Sequence, residues 1–232
     1  MKGVLAGLAL LALAAGCGGG NHAATTASEP PVAKLVDGTA KATAAQTSFH
    51  FDFAVRNPAS STSGLNLTSA KGDVKVPDAL RADVSGTLSG ISLSSQLVFV
   101  SPKQYLKNPL SGKWETLDLK TSPIGYFDPA KGVLAVIRNS LQLSEAGSTT
   151  VGGVDCWVLR GKVHASDLAA FLGTPSNPRL ANVELDVGKS DLVLRRIEVS
   201  GPVAAGEPKA IDREVTLSQF GEAVSIQAPT TG

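Results

Sequence analysis

From residue 49 the chain alternates Phe49, Phe51, Phe53 and Val55 with His50, Asp52, Ala54 and Arg56. Successive side chains of a strand point to opposite faces, so three phenylalanines share one face that must be covered. Alternation returns in Leu65 to Leu67, Val74 to Val76, Leu80 to Leu88 and Ile91 to Val100, with Ser/Gly or Pro-Asp breaks between runs. This spacing predicts hairpin-linked strands of an antiparallel meander. Tyr105-Leu106 and Trp114 to Leu119 flank the turn residues Asn108 to Lys113 and extend it by a hairpin. Leu143 to Val151 and Cys156 to Val163, around Gly152-Gly153, form another. Val183 to Val187, Val193 to Val199, Val215 to Leu217 and Val224 to Gln227 read as the closing strands.

A different period frames these runs. Val32, Leu35, Val36, Thr39, Ala40, Thr43 and Ala44 recur every three or four residues, which predicts an amphipathic helix from about Pro31 to Thr47. Asp128 as N-cap and Pro129 as the first helical residue open a second helix, with Val133, Leu134, Ile137 and Leu141 on one side. Ser166 to Leu172, stopped by Gly173, is a short third. The regular strand–helix alternation of a parallel sheet is missing. The fold class is α+β: a large curved antiparallel sheet, a half-barrel, wrapped over a few helices.

Residues 1–16 do not belong to that fold. Lys2, an apolar run from Val4 to Ala15 and a small residue at Gly16 form a secretory leader. Ala14-Ala15-Gly16-Cys17 resembles a bacterial lipobox, with its usual Leu one place early at Leu13. In that reading Cys17 is lipidated, cleavage before it leaves it as the first residue, and residues 17–31 tether lipid to domain. Gly18 to Pro31 is rich in Gly, Ala, Thr and Pro, the composition of a flexible linker. An ordinary cleaved leader with a chance cysteine, or a short retained anchor, would fit the same run. Several acyl chains on one cysteine suffice for stable anchoring, which puts the protein on the outer face of the cytoplasmic membrane. Residues 32–232 then form one domain.

Composition narrows the function. With 21 Lys plus Arg against 20 Asp plus Glu, no basic field is available to hold nucleic acid. Two cysteines and three histidines are too few for a multi-cysteine zinc site or a disulfide framework. Once Cys17 is lipidated, Cys156 has no partner and reads as a buried thiol rather than a nucleophile. There is no Gly-x-Ser-x-Gly, no phosphate-cradling loop, no His-Glu-x-x-His and no Cys-x-x-Cys. His22 lies in the tether, His50 on a strand facing outward and His164 before a helix. Asp155, Asp167, Glu184 and Asp186 could pair in space, but charges alternating on strands usually mark a solvated face. No enzyme, no cofactor and no metal are expected.

What stands out is a long apolar sheet face with only 5% aromatic residues to fill it. Such a face encloses either a lipid-binding cavity or a packed core, and periodicity does not separate the two.

The order of several segments carries a resemblance. A lipobox, a tether and a helix near Val32 lead into the Phe-rich strand. Leu80-Arg81-Ala82-Asp83-Val84, Gly112-Lys113-Trp114-Glu115, Val151 to Gly161, Leu194 to Val199 and Val215 to Pro229 then follow in that order. The sequence resembles the mycobacterial-type LppX/LprA/LprF/LprG lipoproteins over nearly its whole mature length. The resemblance implies a half-barrel like that of the LolA/LolB carriers, with a hydrophobic cavity for acyl chains of envelope lipids or glycolipids as cargo. It supplies no catalytic residues. The candidate lining comes from periodicity: Phe49, Phe51, Phe53, Leu67, Ile91, Leu93, Leu97 and Phe99 on strands, and Leu134, Ile137, Leu141, Leu168 and Phe171 on helices.

The expected function is a membrane-anchored monomer carrying multi-acyl lipid between envelope layers, with a membrane transporter as a further partner. Each buried CH₂ is worth roughly 0.8 kcal/mol, so long chains need a shielded route through water. The rival readings are a lipid-anchored adaptor or sensor for a transporter or cell-wall enzyme and, with no base beside any nucleophile, an envelope hydrolase.

Overall fold

The computed structural model describes residues 31–58, 65–117, 129–168, 179–204 and 206–232. Cys17, the leader and the tether lie outside them, as does Phe171. Helix α1 covers Val32–Ala44 and buries Leu35, Thr39, Ala40 and Thr43, one stripe at helical spacing. The strands are β1 Ser48–Arg56, β2 Leu65–Lys75, β3 Ala79–Leu88, β4 Ile91–Val100, β5 Lys103–Lys107 and β6 Trp114–Leu117. Helix α2, Pro129–Asn139, precedes β7 Leu141–Val151 and β8 Val154–His164. A 3₁₀ turn at Ala165–Leu168 leads on to β9 Leu180–Gly188, β10 Leu194–Ser200 and β11 Asp212–Ser218.

All eleven strands join one antiparallel sheet in the order β6-β5-β4-β3-β2-β1-β11-β10-β9-β8-β7. It consists of two sequential meanders joined at one seam, β1 against β11, where Phe51 faces Leu217 and Phe53 faces Val215. The sheet stays open, with β6 and β7 as its edges. It is therefore a half-barrel and not a barrel. At Gly72, β2 and β3 approach so closely that a Cβ would stand 1.9 Å from the Arg81 carbonyl oxygen, so glycine is required there.

Several elements differ from the sequence expectation. Residues 65–75 form one strand through a break in the apolar pattern, with a bulge between Leu67 and Ser69 absorbing the change of register. Helix α2 stops at Asn139, where the Ser140 hydroxyl donates back to the Val136 carbonyl, so Leu141 opens β7 instead of ending the helix. Residues 166–168 make a 3₁₀ turn, and the rest of the expected third helix lies outside the described residues. Val224 to Gln227 is not a strand: the sheet position beside β11 is already taken by β1.

The two helices pack against each other on the inner face. α1 also meets β7 and β10, whereas α2 meets β8 and the 3₁₀ turn. Val136 and Ile137 of α2, and Leu159, Leu185, Val187 and Leu194 of the strands, are at most 1% exposed.

Candidate functional site: the inner face of the half-barrel

Alternation places Phe49, Phe51 and Phe53 on the inner face, where all three are buried. Leu97, Ile137 and Leu168 are buried in the same cluster, and Leu67, Phe99 and Leu134 pack against it half-buried. Leu93 is half-buried. Two candidates are exposed rather than buried. Ile91 sits at the tip of the β3–β4 hairpin, beyond any helix, and is 66% exposed. Leu141 begins edge strand β7 and is 39% exposed. The period fixes which face a side chain takes; it says nothing about how far the covering helices reach along that face.

On β2 to β4 the inner face therefore changes along its length. At one end Val74, Leu80, Ala82 and Leu97 are fully buried. Further along, Val84 and Leu93 are half-buried, and the paired Leu88 and Ile91 stand in solvent. An apolar floor thus runs from the core to the surface.

Under α2 the face encloses a cavity of about 20 Å³, room for about one water. Phe53, Val136, Leu168, Ile197, Val199 and Val215 line it, together with one charged residue, Arg213. Arg213 is 6% exposed. It alternates in phase with Val215 and Leu217 and so points inward with them. Its Nη2 donates to Glu207 Oε1, and its Nη1 donates to the Gly201 carbonyl at 3.4 Å. Burial pulls its pKa down, against the attraction of Glu207. The alternation of Arg213, Val215 and Leu217 in the sequence already carried this signal.

The outer face is polar. The Arg196 Nε donates to Asp186 at 2.6 Å, and its Nη1 donates to Glu198 at 2.9 Å and Glu214 at 3.0 Å. Its Nη2 donates to Glu184. Arg56 braces the same group through Glu198 at 3.0 Å. Burial alone would lower the Arg196 pKa, but the surrounding carboxylates hold it above its usual value. Glu184 and Asp186 thus do come together, though not on a solvated face: Asp186 is fully buried. Among the described residues its Oδ1 has no hydrogen-bond partner, and burial pushes its carboxyl up. Asp155 and Asp167 stand elsewhere, accepting from Thr150 and Asn139. Cys156 is fully buried, and desolvation with the charge of Asp186 raises its thiol, the opposite of an activated nucleophile. His50 faces outward against Asp73 at 2.9 Å. Among the described residues no cluster of His, Cys, Asp and Glu could hold a metal, and no helix is long and apolar enough to cross a membrane.

The family model described as LppX_LprAFG lipoprotein matches residues 31–226. The chain belongs to this family. As an LppX/LprAFG protein it is an envelope-associated lipoprotein on a lipid-binding fold, and it is not an enzyme. LprF from Mycobacterium bovis is similar in structure at 17% identity, with a TM-score of 0.66 over 86% of this chain and 96% of that one. LppX from Mycobacterium tuberculosis is similar at 19% identity, with a TM-score of 0.60 over 85% and 100% of the two chains. These likenesses show the fold: the open, half-barrel sheet of the LppX/LprAFG lipoproteins. No curated protein matches the sequence.

Proposed function

We propose that the protein is a lipid carrier, anchored through Cys17 to the outer face of the cytoplasmic membrane, that takes acyl chains of an envelope lipid or glycolipid onto the inner face of its sheet and moves them between envelope layers. The observation that carries this reading is the apolar floor of β2 to β4, which runs from buried Leu80 and Leu97 to exposed Leu88 and Ile91 with Ser95 as the one polar side chain of β4 on it. Acyl chains can slide along such a floor past the Ser95 hydroxyl, which is already donated to the Lys107 carbonyl. Burying them removes most of the roughly 0.8 kcal/mol per CH₂ that keeps them in a membrane. A cavity of about 20 Å³ is far below the 300 Å³ and more of typical ligand sites, so loading requires α1 and α2 to move off the sheet. The helices rest chiefly on β7, β8 and β10, which leaves the β2–β4 side as the place to open.

The test is native mass spectrometry with organic extraction, on a soluble form lacking residues 1–17 and expressed in a lipid-rich relative of the source. The expected result is co-purified multi-acyl lipid that disappears in Leu93→Trp. Folded protein that carries no lipid and takes none up would remove the carrier reading. The adaptor reading would then lead, supported by a polar groove of about 450 Å³ on the outer face, walled by Trp114 and lined by Lys71, Asp73, Arg81, Asp83 and Gln96.

A further inference from the structure

Arg213 is a charged side chain in an apolar cavity wall, and among the described residues it has one carboxylate partner. That partner, Glu207, lies in the β10–β11 connection, where it also accepts hydrogen bonds from the backbone of Val203 at 2.7 Å and Ala204 at 3.0 Å. Glu207 therefore does two things: it neutralises the guanidinium, and it folds the connection back over the end of the sheet, burying Val203 and Ile211. Gly201 and Gly206, both at positive φ, bend this connection on either side of Val203.

A guanidinium cannot shed its proton, and a buried charge left without a partner costs several kcal/mol. Anything that displaces Glu207 must therefore bring a negative charge of its own. A neutral amphiphile gains only the apolar contacts and leaves Arg213 uncompensated if it opens the connection. An anionic one restores the pair, and the planar fork of the guanidinium fits a carboxylate or a phosphate equally. Glu207 keeps 15% of its side chain exposed, so it can swing out to water when exchanged.

We propose that Arg213 is the headgroup subsite of an anionic acyl lipid: the carboxylate or phosphate of the lipid replaces Glu207 on the guanidinium, and this exchange frees the β10–β11 connection from the cavity. The inference rests on the lipid-binding reading and adds the charge class of the ligand. Chains would lie toward Phe53, Val136 and Leu168, which line the cavity with Arg213. No covalent step is involved.

The experiment uses the full chain in neutral phosphatidylcholine vesicles and three photo-crosslinking ligands of equal chain length: a diazirine fatty acid, the matching alkyl phosphate and the methyl ester of the acid. Labelling is read by intact mass and peptide mapping. In the unaltered protein the acid, the phosphate or both should label the cavity peptides at least about tenfold more than the ester. That preference should vanish in Arg213→Met while ester labelling stays. Glu207→Gln should raise anionic labelling severalfold. The ratio of acid to phosphate labelling tells which anion is preferred. If Arg213→Met fails to fold, hydrogen exchange of the unaltered protein decides: the Val203 and Ala204 amides should lose protection on adding the acid or the phosphate but not the ester. Ester labelling equal to anionic labelling, or unchanged protection at those amides, overturns the anion subsite and leaves lipid binding standing. No labelling by any of the three overturns both.

Discussion

The two halves of the sheet are built alike and held differently. In the half from β7 to β11, with β1 at its border, helices cover the inside and the Arg196 network ties together β9, β10 and β11 on the outside. In the half from β2 to β6 the inside is buried only toward one end, and the ion pairs outside, such as Arg81 with Asp73, stand largely in water. Strand alternation is the same in both. What separates them is where the two helices land, so the first half, its β10–β11 connection apart, is the support and the second a surface that can be uncovered.

The largest test of this contrast is Arg196→Met. It leaves the fully buried Asp186 without a cation, while Arg56 and Arg160 still pair with Glu198, Glu214 and Glu184, and it should destabilise the fold by about 3–5 kcal/mol in chemical denaturation. A loss under about 1 kcal/mol would mean that the network does not brace that half. A paired substitution comes next. Leu185→Ala, at 1% exposure under the helices, should cost about 2–5 kcal/mol, whereas Leu93→Ala on the half-covered strand should cost under about 1 kcal/mol. Equal losses would break the comparison. The smallest effect concerns Asp73. Burial alone would raise its carboxyl, but hydrogen bonds from His50 and Arg81 hold it below the usual value. Its contribution is therefore present above the unfolded pKa of about 3.9 and is lost as pH falls through the lower folded value. Asp73→Asn should cost under about 1 kcal/mol at neutral pH, and its melting curve should converge on that of the unaltered protein in strong acid. A difference that persists at pH 2 would show that packing, not charge, is what Asp73 supplies.

Most of the strands were legible because alternation is a local signal. Phe49 to Val55 and Leu80 to Leu88 could be read directly, and so could the turn residues between neighbouring hairpins. The helix boundary near Leu141 was not, since Leu141 fits the helical stripe and the following strand equally well, and the hydrogen bond from the Ser140 hydroxyl to the Val136 carbonyl decides between them. Val224 to Gln227 alternates like a strand, but β11 just before it is already paired on both sides, with β1 and β10, which only the strand order reveals. Within the site, the inward face of the phenylalanines followed from parity, while the exposure of Ile91 depends on the reach of helices elsewhere in the chain. Arg213 was passed over because a charged residue in a strand is ordinarily assigned to solvent, although its phase with Val215 and Leu217 points inward.

The seam between β1 and β11 bears on how the chain assembles. Every other strand pairs with its neighbour in sequence, so each meander can grow by successive short hairpins. Among the strand pairings the seam alone joins distant chain: Arg56 and Glu214, hydrogen-bonded across it, are 158 residues apart. Closing a loop of that length is an entropic cost incurred once, late, after both ribbons exist. The start of β1 lies beside the end of β11, with His50 opposite Ser218. Joining the end of the chain to the segment ahead of α1, and opening it between β6 and β7, would make the one remote pairing a local one with α1 in its connection, and folding would speed up while the finished sheet stayed the same.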